Sequence, residues 1–149
     1  MAKVVGKAPR LGQPLIRTTP VDMYGERLTV MVNMPWADAY AYIKRRHKAI
    51  EPIEAKFNGR SFSVEVGDTE TGERCRFYYV WMREFNWWSS QQALLVHEIY
   101  HHVNAVLDAA GVSWSADNNE AYAYYLQWVY QEVLDILKAV YPNAQKARR

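Results

Sequence analysis

The hydrophobic pattern of this chain changes period once, near Ser89, and that change sets its class. Before it, side chains follow a period of two. Phe62, Val64 and Val66 are separated by Ser63 and Glu65, and Cys75, Phe77, Tyr79 and Trp81 alternate with Arg76, Tyr78, Val80 and Met82. Such a period places successive side chains on opposite faces of a strand. Asn58-Gly59 is a turn signal ahead of the first run, and the stretch from Gly67 to Gly72 turns the chain between the two. Segments 60–66 and 74–83 therefore read as an antiparallel hairpin. Leu28, Val30 and Val32 give an earlier strand over 27–34, which Pro35 stops.

After Ser89 the spacing is helical. Leu95, Ile99, Val103 and Val106 form one stripe of a helix that runs to Ala110, with Gly111 as its stop. Leu126, Val129, Val133 and Ile136 form the stripe of a second, from Asp117 to Tyr141, before Pro142. Ser89 with Gln92, and Asp117 with Glu120, fit capping boxes. A shorter helix over 36–48 places Trp36, Ala39, Tyr40 and Ile43 on one face, with Lys44, Arg45 and Arg46 as a solvated basic patch. The expected fold is α+β: a small, mainly antiparallel sheet with an early helix, then two long packed helices. Residues 1–20, with three prolines and no periodicity, read as an extended arm. Residues 21–142 read as a single domain and 143–149 as a basic tail.

Composition excludes some functions. A length of 149 residues suits one core. The net charge of +2 is too weak to argue for a nucleic-acid partner. No stretch approaches the ~18 apolar residues of a membrane span, so no membrane partner is expected. A single cysteine, Cys75, precludes a disulfide within the chain and suits a reducing, cytoplasmic compartment. It reads as a buried small hydrophobe. Six Trp and eleven Tyr furnish either a core edged with amphipathic rings or an aromatic-walled groove for a peptide or sugar.

The chemistry lies in His97-Glu98-Ile99-Tyr100-His101. Residues four apart stand one above the other on a helix, so both imidazoles can reach one metal ion. Glu98, offset by one position, can lie beside the ion's open site and take a proton from water there. A third protein ligand must come from elsewhere. Glu120, at the start of the next helix, is the best placed, and it is equally placed to cap that helix. His102 points about 100° away from His101 and reads as exposed or hydrogen-bonded.

Val96-His97-Glu98-Ile99-Tyr100-His101 followed by Asn119-Glu120-Ala121 resembles the gluzincin branch of zinc metallopeptidases, over roughly residues 74–135. It resembles in particular small zincin-like proteins of bacteriophages and prophages. The resemblance implies Zn2+ held by His97, His101 and Glu120 between the two long helices, with Glu98 as general base. It also implies that strand 74–83 lies along the cleft as an edge strand, pairing with a peptide or protein substrate. Many members carry an Asp four residues after the ligand Glu, where it orients a histidine. Here Tyr124 stands in that place, a weaker acceptor for an imidazole N–H. Tyr122, Tyr125, Tyr100 and His102 are candidates for stabilising the oxyanion. A metallopeptidase is the activity implied. The alternatives are a non-catalytic zincin-like module for structure or protein binding, such as one within a phage particle, and a metal-dependent hydrolase of non-peptide bonds. The cytoplasm would then be that of the bacterial host.

Overall fold

A computed structural model of the chain describes residues 12–21, 26–48, 50–54 and 57–141. The expected basic tail and the first part of the expected arm lie outside these. In order, the described elements are β1 (Leu15–Val21), β2 (Glu26–Val32), α1 (Trp36–Arg46), β3 (Gly59–Gly67), β4 (Arg74–Met82), α2 (Ser89–Ala109) and α3 (Asn119–Val140). The strands form one sheet in the order β1-β2-β4-β3. β1 runs antiparallel to β2, and β3 to β4, whereas β2 and β4 are parallel. The parallel step arises because α1 and β3 intervene in the chain, and only such a crossover can bring two strands side by side in the same direction. The fold is thus α+β with a mixed sheet, and two of its three helices are long.

Helices cover both faces of the sheet. On one, Ala39 and Ile43 of α1 pack with Met31, Tyr79 and Trp81. On the other, Leu28, Val30, Tyr78, Val80 and Met82 meet Leu95, Ile99 and Val103 of α2 and Val129 and Val133 of α3. Leu95, Ile99, Val103 and Val106 are all fully buried. At about 1.5–3 kcal/mol per buried aliphatic side chain, this stripe fixes the rotation of α2 on the sheet. Val129 and Val133 are buried as their spacing indicated, but Leu126 and Ile136 are only partly so. Tyr122, Tyr125 and Leu137 complete the buried face of α3 instead. Among the described residues, no helix is long and apolar enough to cross a membrane.

Several local expectations are corrected. Leu15–Val21, which takes in the end of the expected extended arm, is an edge strand paired with β2. It shows little alternation because, at the sheet edge, its packed apolar residues are Leu15, against the α2–α3 face, and Ile16, against the α1 face, and Pro20 is tolerated at an edge. Strand β4 is interior, between β2 and β3, so the edge beside the helices is β3 and not 74–83. Cys75 is exposed, because β2 pairs with β4 only from Tyr78 onward. Helix α2 is capped at Trp88, without a side-chain cap bond. The Gln92 amide instead donates to the Trp87 carbonyl at 2.8 Å. Trp87 is buried and its indole N–H is tied to the Tyr141 carbonyl, so the cap falls at Trp88, one residue before the expected Ser89. Helix α3 is entered through Asn118 rather than Asp117, and the Asn118 side chain holds Ser113 and Ser115 instead of making a cap bond to the helix.

Candidate metal centre

Helix α2 presents His97 and His101 on its outward face, both exposed. Their Nε2 atoms converge to 3.1 Å, with ring centroids 4.6 Å apart. Two nitrogens at this separation, each about 2.05 Å from one ion, subtend about 98° there, near the tetrahedral angle of about 109°. The pair fits two ligands of a tetrahedral zinc. The same separation suits an N–H···N hydrogen bond between neutral rings, with one of them in the Nε2–H tautomer.

Glu98 projects from the inner side of the same turn and is only 5% exposed. Its carboxylate lies directly against β3. A Cβ at Gly59 would stand 2.9 Å from Oε1 and 3.1 Å from Cγ of Glu98, so a larger residue there would shift the Glu98 carboxylate. The backbone N–H of Ser61 faces the carboxylate and favours its charged form. The register explains why that N–H is free to do so. The Asn58 carbonyl accepts from the Arg83 N–H at 2.8 Å, which makes this a hydrogen-bonded pair of the antiparallel ladder. Pairing alternates, so Arg60, Phe62 and Val64 turn their backbone toward β4. Gly59, Ser61, Ser63 and Glu65 turn theirs to the outer edge. Burial pushes the Glu98 pKa up, opposed by the charges of His97 and His101, the Ser61 N–H and Arg60. A carboxylate raised toward neutrality is better matched to general-base work than one in water.

Glu120 and Tyr124 lie one turn apart on the exposed side of α3, Tyr124 being 66% exposed. Glu120 stands beside the α2–α3 connection. His101 lies eight residues before the end of α2, about 12 Å along its axis. Among the described residues, no group of three or more His, Cys, Asp or Glu is placed to hold one ion. The structure thus brings together His97, His101 and the seat of Glu98, and does not bring Glu120 into that group.

His102 departs from expectation. It is 1% exposed, rests edge-on against Tyr78 at 5.0 Å, and neither ring nitrogen has a hydrogen-bond partner among the described residues. It faces the sheet because α2 turns this side, with Glu98, inward. His47 belongs to the opposite face of the sheet, where its Nε2 lies 2.5 Å from the buried Tyr79 hydroxyl. Sequence reasoning missed Gly59 and Ser61. Asn58-Gly59 was legible only as a turn, and nothing local marks a strand amide that answers to a helix 37 residues on.

Comparison with family models, with curated proteins and with solved structures finds no match to this chain.

Proposed function

We propose that this protein is a zinc-dependent hydrolase of the zincin metallopeptidase type, with His97 and His101 as ligands and Glu98 as general base. The observation that carries this reading is the convergence of two Nε2 atoms to 3.1 Å on the turn that also seats a buried carboxylate. Zinc, when bound, acidifies water and polarises a carbonyl. Glu98 accepts a proton on a carboxylate oxygen and delivers it to the leaving amine. Its raised pKa supports this role. A peptide is the favoured substrate because β3 leaves outward amides and carbonyls at Ser63 and Glu65, to which an extended chain can pair. Glu120 is our candidate for the third ligand, and Tyr124 for orienting an imidazole. The single cysteine favours a reducing cytoplasm, including that of a phage-infected or lysogenic host.

A second reading is a non-catalytic zinc-binding module that engages a protein partner. It is favoured by the lack, among the described residues, of a three-residue ligand group. One set of variants separates the two. Metal analysis of the purified chain should give about one zinc per chain, lost in His97→Ala and in His101→Ala. Glu98→Gln should keep the zinc and lose cleavage of a peptide library. Full cleavage by Glu98→Gln would refute the enzyme reading, and zinc retained in both histidine variants would refute the metal centre. Zinc retained in Glu120→Ala would remove Glu120 from the ligand set.

A further inference from the structure

We infer that Gly59 and the Ser61 amide are positioning residues, which together park the Glu98 carboxylate on the free edge of β3. Two independent features of the geometry meet here. The register turns the Ser61 N–H outward, away from β4, so it has no partner within the sheet. Gly59, two residues earlier and on the same face, lacks the Cβ that would stand 2.9 Å from Oε1, 3.1 Å from Cγ and 3.3 Å from Cδ of Glu98. Any other side chain at 59 must move the carboxylate. The catalytic half of this inference rests on the hydrolase reading; the seat itself does not.

Amide hydrogen exchange on the full-length, metal-free chain tests the seat directly. In the wild type, the Ser61 amide should exchange more slowly than those of Ser63 and Glu65, although all three face the same open edge. Glu98→Ala should speed Ser61 by about tenfold, the worth of one charge-assisted hydrogen bond. Gly59→Ala should do the same, and should add nothing in the Glu98→Ala background. The amides of Arg60 and Phe62, paired with β4, should keep their rates throughout, which separates loss of the seat from loss of the strand. A Ser61 amide that exchanges as fast as Ser63 in the wild type, or that ignores Glu98→Ala, overturns the inference. If the chain hydrolyses peptides, Gly59→Ala should keep its zinc and lose kcat on the order of a hundredfold without a rise in KM. Unchanged kcat in that variant overturns the positioning role. Lack of zinc or of hydrolysis in the wild type would refute the hydrolase reading and leave the exchange result standing.

Discussion

His102 offers the most quantitative prediction. Its ring is 1% exposed and has no hydrogen-bond partner at either nitrogen among the described residues. Burial alone lowers its pKa from 6.5 to about 4. The folded state therefore binds fewer protons than the unfolded state between these values, and folding weakens as pH falls through them. The full contribution is present above pH 6.5. With these two pKa values, linkage removes about 2 kcal/mol by pH 5 and about 3 kcal/mol by pH 4. That is a large part of the ~5–15 kcal/mol that holds a domain folded. Even when neutral, the ring leaves polar atoms unmatched, at about 1–3 kcal/mol, offset by about 1 kcal/mol from its edge contact with Tyr78. His102→Leu, close in volume, should stabilise the chain by about 1 kcal/mol at pH 7.5 and flatten its acid response. Urea unfolding at pH 7.5, 5 and 4, with a chelator to keep His97 and His101 free of metal, measures both. Parallel acid responses in wild type and variant would show that His102 is not buried in the neutral form.

Two further substitutions test the packing around the sheet. Tyr79→Phe strands the buried His47 Nε2, now 2.5 Å from the hydroxyl, and should cost about 1–3 kcal/mol in thermal or urea unfolding. A smaller loss in a His47→Phe background would confirm that the two groups act as a pair. Asn33 sits at φ 59° and accepts the Phe85 N–H at 2.7 Å through Oδ1. Asn33→Ala combines left-handed strain with a lost buried acceptor and should cost about 2–4 kcal/mol, whereas Asn33→Gly relieves the strain and should cost less.

Much of the fold could be read along the chain, because its signals are local. The period-two runs around Val64 and Tyr79 and the helical stripe from Leu95 to Val106 each report on a single element. What escaped was relational. Leu15–Val21 carries little pattern, and its strand exists because β2 offers an edge to it. The position of β4 could not be read either. Residues 78–82 are buried on both faces, which does follow from their composition, but that burial fits an interior strand only once β2 is known to lie beside it. The same holds for His102. Its angular offset from His101 was legible, but whether that direction meant solvent or sheet depended on how α2 is rotated.

The candidate centre divides along the same line. Two histidines four apart on one helix determine their own separation, so their convergence on a point was encoded in five consecutive residues. A third ligand on another helix has no such guarantee. The short α2–α3 connection holds Glu120 near the end of α2, while the histidines sit several turns earlier on that helix. The glutamate between the histidines belongs to both categories. Its offset by one position was legible and turns it off the histidine face. Its environment was not, because the strand amide that meets it lies 37 residues earlier and faces outward only by the parity of the β3–β4 register. A one-residue slip of that register would turn the Ser61 N–H toward β4 and put a side-chain-bearing residue where Gly59 now gives way. The register of an edge strand thus decides whether Glu98 has a seat at all, and the chemistry of the helix is set partly by the pairing of the sheet.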